Sequence, residues 1–210
     1  MKYGAIAGGE KSTVQAAFNI MENGGNAFDA AVGAVFTSMV SEYCLTGPGG
    51  GGAFLASPVN AEPILFDFFV DTPHPQPEKE LDFFSIIVDF GPSQQQFHIG
   101  QGSVAIPGNI AGLLKVHQRL GQIPLKAVLE PAVNAARDGI ILNSSQGYLI
   151  KILEPILTYS NGGKVIFSPN GKLLKKDDRF KNTRFADLLE CLLAEGHMYF
   201  YEKDGAELIL

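Results

Sequence analysis

The chain opens with a pattern of polar caps and apolar helix faces that predicts two consecutive helices. Ser12 stands where an N-cap would stand, and the first helix is predicted over residues 13–22. Gly24 and Gly25 then end this helix, and Asn26 caps a second one that is apolar almost all round. A helix of that composition packs on several sides, so we expect it in the core. The apolar face of the first helix is predicted to carry Val14, Ala17, Phe18 and Met21.

Apolar runs after the second helix predict strands. A polar, proline-bearing turn at residues 58–63 separates two of them, which indicates an antiparallel hairpin. Alternating prolines in residues 71–77 exclude both a helix and a sheet ladder, so this stretch is expected to be an extended surface loop. Strand-like segments are predicted at residues 4–7, 52–57, 64–70, 83–90 and 97–106.

The second half of the chain has mainly helical spacing, interrupted by turns. Turns are predicted at residues 161–163 and 168–171, and a charged loop at residues 177–182. A last helical pattern begins at Gly205 and is cut off by the end of the chain, so we expect the 210 residues to be part of a longer protein. Helices are predicted at residues 107–120, 124–137, 143–159 and 185–193.

These elements predict one α+β domain over residues 1–210. Residues 1–106 would contain the helix pair and the sheet strands, and residues 107–210 would be mainly helical. Hydrophobic residues make up 46% of the chain and charged residues 18%, which is typical of a globular protein. A formal net charge of -6 does not favour nucleic acid as a partner.

No segment has the length and composition of a membrane helix, so we expect no membrane partner. The longest apolar stretch, residues 28–45, contains Asp29, Ser38 and Glu42 and is short for a bilayer. The N-terminus has no charged-then-apolar leader. The default expectation is a cytoplasmic protein, or a periplasmic or secreted one if a leader has been removed.

Four consecutive glycines connect the second helix to the predicted hairpin: Gly49, Gly50, Gly51 and Gly52. Glycine loses more backbone freedom on folding than other residues, so such a run is expected where the backbone turns sharply or lies close to another group. Two interpretations stay open, a tight turn and a turn packed beside a catalytic centre. The run continues into Ala53 and Phe54 and opens a strand, which excludes Walker and dinucleotide loops because those open a helix.

The side chains that commonly carry chemistry have no spacing typical of a metal or cofactor site. We expect neither a metal nor a cofactor, because the histidines are scattered. Cys44 and Cys191 lie in apolar helical contexts and are expected to be buried thiols rather than a disulfide. The four histidines are His74, His98, His117 and His197.

Asp67 and Asp71 are candidates for acid and base chemistry. Asp67 alternates with Phe66 and Phe68, so it is expected on the opposite face of its strand, toward solvent or a polar contact. Asp67 and Asp71 could form an acid–base pair, although nothing in their spacing requires one. The residues by themselves predict a globular part-chain without a defined active site.

Three stretches, taken together, resemble the gamma-glutamyltranspeptidase family. Residues 24–32 (GGNAFDAAV) are similar to the family's GGNAxDAAVA, residues 49–54 to its GxGGGGF, and residues 102–108 (GSVAIPG) to its GxxSVAVPG. The resemblance runs from about residue 4 to residue 210, and the order and spacing of the motifs make it specific. Further matching positions are Gly112, Leu113, His117, Gly121, Pro124, Pro131, Ala132, Asp178, Arg179, Phe200 and Tyr201.

The resemblance implies part of an αββα sandwich of the N-terminal nucleophile hydrolase type, from a precursor that cleaves itself into two subunits. This chain would be the first part of the large subunit, and its partner would be the small subunit or the remainder of the same precursor, with a homo-oligomer also possible. The substrate would be a small γ-glutamyl amide such as glutathione. The nucleophile would be the threonine that begins the small subunit, with its own amine as base. No threonine here matches that motif, which excludes Thr13, Thr37, Thr46, Thr72, Thr158 and Thr183.

One candidate substrate-binding position departs from the family pattern. The family has DFRETAP after its second strand, with an arginine that holds the substrate's α-carboxylate, whereas residues 67–73 read DFFVDTP. Phe69 therefore stands in the arginine's place, two residues after Asp67, and a phenyl ring cannot give the paired N–H bonds that a carboxylate accepts. Three alternatives stay open: another cation holds the carboxylate, the acyl group differs, or the protein is an inactive relative with a scaffold role.

Overall fold

The computed structural model describes residues 4–73 and 81–202, which form a mixed α+β fold as predicted. The first half contains α1 Lys11–Glu22, α2 Ala27–Ser41, β1 Gly52–Ala56, β2 Ile64–Phe68, β3 Phe84–Asp89 and β4 Gln94–Ile99. Next come α3 Asn109–Leu120, α4 Leu125–Asp138, β5 Ile140–Ile141, α5 Ser144–Ile152, α6 Glu154–Leu157 and α7 Asn161–Phe167. The last elements are β6 Arg179–Phe180, α8 Thr183–Glu195 and α9 Met198–Glu202.

The chain divides into two compact units, each built from separated stretches of sequence. The first unit comprises residues 1–70, 107–139 and 182–210, and the second comprises residues 71–106 and 140–181. The expectation of a single domain over residues 1–210 stays a prediction.

Helix α2 forms the centre of the first unit and packs against α1, α3 and α4. Val32, Phe36 and Val40 on this helix are completely buried, which confirms that it is a core helix. Its start is also as predicted. The Asn26 side chain accepts hydrogen bonds from the backbone N–H groups of Phe28 and Asp29, and the Asp29 carboxylate accepts one from the Asn26 N–H, which completes a capping box.

Helix α1 begins earlier than predicted, and its buried face is rotated relative to the predicted one. Its N-cap is Glu10 rather than Ser12, and the Glu10 carboxylate accepts a hydrogen bond of 2.6 Å from the Ser12 N–H. Phe18 is 49% exposed. Ala17 is buried as predicted but Phe18 is not, because the side of α1 that packs on α2 carries Ile20, which lies beside Gly33. The buried residues of α1 are Thr13, Ala16, Ala17 and Ile20.

The predicted hairpin is confirmed in the first unit. Strands β1 and β2 are antiparallel, with Phe54 opposite Phe66 and Leu55 opposite Leu65. The rings of Phe54 and Phe66 meet edge to face with their centroids 6.4 Å apart. On the other face of the hairpin the cross-strand pair Leu55 and Leu65 is 70% and 64% exposed.

The second unit contains two small antiparallel sheets among its described residues. Strands β3 and β4 pair with Phe84 opposite Ile99, and strand β5 pairs with β6. An isolated bridge also joins Asp71 to Ile106 through two backbone hydrogen bonds of 3.1 and 2.8 Å. Residues 74–77 of the predicted proline loop, which include His74, lie outside the described residues, as does the helical pattern from Gly205.

Two of the strand predictions were wrong. Residues 4–7 do not form a strand, because no other strand in the described part of the chain pairs with them. The strand predicted over residues 97–106 is β4 at residues 94–99, followed by a short 3-10 turn at Gln101–Ser103. Gly100, at a φ of 105°, turns the backbone between the two, and the Asp82 carboxylate accepts the Gln101 N–H.

The helical predictions for residues 143–182 also needed correction. The helix expected over residues 143–159 is divided at Leu153 into α5 and α6, because Pro155 has no N–H to continue the hydrogen-bond ladder of α5. The turn expected at residues 161–163 is the start of α7, which Ser160 caps by accepting the Gly163 N–H. The charged loop at residues 177–182 contains strand β6.

None of the helices in the described part of the chain is both long enough and apolar enough to span a lipid bilayer.

The crossing of α2 over α4 depends on the absence of a side chain at Gly33. A Cβ atom at this position would lie 2.7 Å from the Val128 carbonyl oxygen and closer still to Ile20. We expect Gly33→Ala to lower the free energy of unfolding by about 1–3 kcal/mol through overpacking. This loss would come despite the better helix propensity of alanine, which is worth about 1 kcal/mol.

Urea unfolding followed by circular dichroism measures this effect. Gly162→Ala is the matched control, since a Cβ in that exposed helix would meet nothing closer than 3.8 Å. The control is expected to leave stability unchanged or slightly raised. Equal stability of Gly33→Ala and wild type would show that α2 and α4 do not require the close approach.

Candidate functional site around the glycine run

The glycine run is anchored at its start to the end of α2. The Thr46 hydroxyl donates a hydrogen bond of 3.0 Å to the Ser38 hydroxyl and approaches the Glu42 carbonyl oxygen at 3.3 Å. The run then turns, and the Gly50 N–H donates to the Gly47 carbonyl oxygen at 3.2 Å. The connection from helix to strand is therefore a defined turn, as one of the two sequence interpretations predicts.

Gly50 and Asn109 join this turn to the start of α3. The Gly50 carbonyl oxygen accepts two hydrogen bonds of 3.0 Å, from the N–H groups of Gly108 and Asn109. In return, the Asn109 side-chain amide donates a hydrogen bond of 2.8 Å to the Gly47 carbonyl oxygen. Asn109 is only 7% exposed, so these bonds replace water for groups that burial has desolvated.

Three glycines allow the end of β2 to lie against this turn and against α3. A Cβ on Gly51 would lie within 2.8 Å of backbone atoms of Phe68 and Phe69. A Cβ on Gly108 would overlap the Phe68 carbonyl oxygen, and one on Gly112 would overlap the Phe68 ring. The second and third motif stretches of the sequence therefore meet at the end of β2, and the glycines permit close approach of backbones.

Tyr201, which is distant in sequence, also holds the start of α3. Its hydroxyl donates a hydrogen bond of 2.7 Å to the Pro107 carbonyl oxygen and accepts one of 3.3 Å from the Ala111 N–H. Burial raises the pKa of the Tyr201 hydroxyl, so the group stays protonated at neutral pH and keeps its donor.

The predicted substrate-binding residues lie beside this junction. Phe69 directly follows β2, and its side chain is 72% exposed. Asp67 is exposed on the outward face of β2, as its alternation with Phe66 and Phe68 predicts, and its carboxylate accepts a hydrogen bond of 3.1 Å from the Phe69 N–H. The structure thus places Phe69 next to Gly51, whereas the binding role of Phe69 and Asp67 stays a prediction.

The first motif stretch makes a second junction, at the turn between α3 and α4. The completely buried Asp29 carboxylate accepts the Gln122 N–H through both oxygens, at 3.2 and 3.0 Å. The Asn26 side-chain amide donates to the Leu120 carbonyl oxygen at 2.7 Å, and the His117 ring nitrogen Nε2 lies 3.5 Å from an Asp29 oxygen. A Cβ on Gly121 would lie 2.8 Å from that carboxylate, which explains the glycine there.

Sequence reasoning missed several members of the site. Gly108, Gly112 and Tyr201 were recognised as family positions without a role, and Asn109 was not singled out. A polar residue in the first turn of an otherwise apolar helix was the available signal for Asn109, but its partner lies 62 positions away in the sequence and no local pattern indicates it.

The described residues contain no cluster of metal-ligating side chains, and the Cys44 thiol is not activated. No group of three or more His, Cys, Asp or Glu side chains in residues 4–73 and 81–202 could hold a metal ion. Cys44 and Cys191 are free thiols, both half-buried, which agrees with the absence of a disulfide in the prediction. Burial raises the pKa of the Cys44 thiol to about 11, so the reactive thiolate is scarce at neutral pH.

The contribution of the Asn109 amide to the stability of the glycine turn can be tested by substitution. We expect Asn109→Ala to lower the free energy of unfolding by about 1–2 kcal/mol, because the Gly47 carbonyl oxygen loses the shorter of its two hydrogen bonds and keeps only the one from the Gly50 N–H. Asn109→Asp is expected to be worse, by about 2–4 kcal/mol, because a buried carboxylate would face a carbonyl oxygen.

Asn19→Asp is the matched control for this pair in thermal or urea unfolding. Asn19 is exposed on α1, and its side-chain oxygen accepts from Gln15, a role that aspartate keeps. If Asn109→Asp were as stable as Asn109→Ala, the amide would not be acting as a donor to Gly47.

Comparison with known proteins agrees with this arrangement of motifs. The model of the gamma-glutamyltranspeptidase family matches residues 13–210. The glutathione hydrolase proenzyme of Escherichia coli (strain K12) is 30% identical over 210 residues, which cover 99% of this chain and 35% of that relative. The chain spans about a third of the length of the curated relatives it matches.

Solved structures share the fold. The crystal structure of the Bacillus anthracis transpeptidase CapD matches with a TM-score of 0.80 at 25% identity, over 100% of this chain and 64% of that one. The Helicobacter pylori gamma-glutamyltranspeptidase matches with a TM-score of 0.82 at 24% identity, over 100% of this chain and 59% of that one. The α+β fold is therefore that of N-terminal nucleophile hydrolases, and the chain belongs to the gamma-glutamyltranspeptidase family.

Proposed function

We propose that the chain is the first part of the large subunit of an enzyme that hydrolyses or transfers the γ-glutamyl group of glutathione-type amides. The observation that carries this proposal is the family match over residues 13–210, together with the coverage of about a third of a glutathione hydrolase proenzyme. The contacts around Gly50 and around Asp29, which join the family motifs, also support it. A fold that preserves both sets of contacts preserves the framework on which such chemistry depends.

The nucleophile in this proposal is an N-terminal threonine on polypeptide outside the chain. Its free amine would take the hydroxyl proton as the oxygen attacks the γ-glutamyl carbonyl, and backbone N–H groups would hold the oxyanion. Several threonine hydroxyls among the described residues have structural partners instead. Thr13 donates to the Glu42 carboxylate at 2.8 Å, Thr37 to the Gly33 carbonyl oxygen at 2.8 Å and Thr158 to the Glu154 carbonyl oxygen at 2.7 Å.

The partner of this chain would be the small subunit or the remainder of the precursor. Among the described residues β1 and β2 pair only with each other, so each strand has an edge that could pair with a further strand. The exposed pair Leu55 and Leu65, with Val59 at 89% exposure in the adjoining turn, gives the hairpin an apolar outer face. A second copy of the chain is the alternative occupant of these edges.

Phe69 supports a second candidate function, with a different acyl group. The side chain that would hold an α-carboxylate in the family is here an exposed phenyl ring, which offers no N–H donors. An amide whose acyl group lacks a carboxylate at that position would not need them. An inactive family member with a scaffold role is a third candidate, favoured by the same residue.

We expect the 210-residue chain alone to release no aniline from a γ-glutamyl anilide, because the nucleophile would lie elsewhere. The chain produced together with the polypeptide encoded after residue 210 is expected to release it, with a glutathione hydrolase as positive control. Absorbance of the released aniline measures both. Turnover by the pure 210-residue chain would contradict the location of the nucleophile.

The gene sequence after codon 210 separates the enzyme from the scaffold. A downstream threonine that opens a strand and is followed by a Gly-Gly pair supports the enzyme. A stop codon directly after codon 210 supports the scaffold.

The identity of the acyl group can be tested with Phe69→Arg in the active, extended enzyme. A guanidinium at this position is expected to lower the KM for the γ-glutamyl anilide about tenfold, since two parallel N–H bonds to the α-carboxylate are worth about 1.4 kcal/mol or more. Steady-state kinetics measures the change. Phe69→Lys is the control, because lysine supplies the positive charge without the planar guanidinium group. Its effect on the KM should be smaller.

A 4-aminobutyryl anilide, which lacks the α-carboxylate, is the control substrate and should not respond to Phe69→Arg. An equal response of both substrates would show that residue 69 does not face the α-carboxylate.

A further inference from the structure

We propose that the basic segment, defined as residues 172–181 of the second unit, binds acidic peptides through their carboxylates. The sequence of this segment is KLLKKDDRFK, with five basic and two acidic residues in ten positions. The whole chain carries a formal net charge of -6, so the segment has the opposite sign to its protein. This concentration of positive charge is a property of the chain alone and does not depend on the proposed reaction.

The backbone of the basic segment is fixed by the rest of the second unit. Leu174 and Phe180 are 8% and 1% exposed, and the Leu174 N–H donates to the Phe167 carbonyl oxygen at 2.9 Å. Leu142 exchanges two backbone hydrogen bonds of 2.9 Å with the segment, one from the Asp177 N–H and one to the Asp178 carbonyl oxygen. The basic side chains therefore project from an ordered backbone, which lowers the entropy lost when a ligand orders them.

The two acidic residues offset two of the five positive charges, so the segment keeps a formal charge of +3. The Asp178 carboxylate accepts the backbone N–H of Lys175 at 2.9 Å, and Asp177 pairs with Lys176 at 3.2 Å. Three lysines remain exposed, and their ammonium groups have no ion pair within the described ranges of the chain: Lys172, Lys175 and Lys181. Lysine binds carboxylates as a flexible point charge, so spacing of the partner's carboxylates need not be strict.

An open cavity of about 610 Å³ adjoins the start of the basic segment. Its lining includes Lys164, Ser168 and Asn170, residue types whose side chains can donate hydrogen bonds to a carboxylate. Gly171, which also lines the cavity, directly precedes Lys172, so the cavity and the segment form one continuous surface. Glu154 is the acidic residue in the lining and would repel a carboxylate on its side.

A short acidic peptide fits this surface better than nucleic acid or a membrane. Polyanions of high charge density are repelled at a distance by a protein with a net charge of -6, whereas a peptide with a few carboxylates feels mainly the nearby lysines. An extended peptide rises about 3.3 Å per residue, so a handful of acidic residues spans a ten-residue segment.

The test uses the 210-residue chain and fluorescein-labelled hexaglutamate, with binding measured by fluorescence anisotropy at about 50 mM salt, where screening is weak. Removal of three charges by K172Q, K175Q and K181Q together is expected to weaken binding about tenfold, because three exposed ion pairs with the peptide would be lost. The matched control is K11Q, K126Q and K151Q together, which changes the net charge equally at three other exposed lysines and should leave the affinity within about twofold.

Three outcomes would overturn the proposal. They are no binding of hexaglutamate by the wild-type chain, equal weakening in the two triple variants, and tighter binding of an oligonucleotide or of anionic phosphatidylserine vesicles than of hexaglutamate. Because the measurement is of binding alone, an inactive chain leaves its result unaffected.

Discussion

The carbonyl group of Gly50 connects the elements around the candidate site of the first unit. It accepts two backbone N–H groups from the start of α3, while the residue after it lies against the end of β2. A carbonyl oxygen has two acceptor positions, and here both are filled from one helix terminus, where N–H groups otherwise have no partner within the helix. The glycine run is therefore required by close packing of backbones, and any side chain at Gly51 would separate these elements.

The family motifs have a consistent physical role in this chain. Asn26 and Asp29 hold the turn that follows α3, whereas Gly50, Gly108 and Asn109 hold the start of the same helix. The motifs thus fix α3 at both of its ends. These motifs carry the family resemblance without containing a nucleophile. Their role is to determine where strands end and helices begin.

Much of the fold could be predicted from local pattern, and some of the failures arise from packing against elements distant in sequence. The cap at Asn26 and the end of α1 at Glu22 depend on neighbours within a few residues, and both occur where the pattern predicted. The buried face of α1 could be predicted only in part, at Ala17, because the partners of Ile20 and Thr13 are Gly33 and Ser41 on α2.

Some features of the candidate site could likewise be predicted from local pattern, and others could not. The position of Asp67 on the outward face of β2 follows from strand alternation, and the closeness of the glycine run to the hairpin follows from their order in the sequence. The amide of Asn109 and the hydroxyl of Tyr201 could not be predicted, because their partners are distant in sequence. Only the folded backbone brings such donors and acceptors together.

The interrupted sequence of the first unit has a consequence for its synthesis. Helix α8 completes this unit by packing on α4, where the Asn182 N–H donates to the Ala136 carbonyl oxygen at 3.1 Å, yet the ribosome makes residues 140–181 in between. The emerging chain must therefore keep the surface of α4 uncovered until α8 has left the exit tunnel. Such long-range closure slows folding and prolongs the exposure of apolar surface on α4 during synthesis.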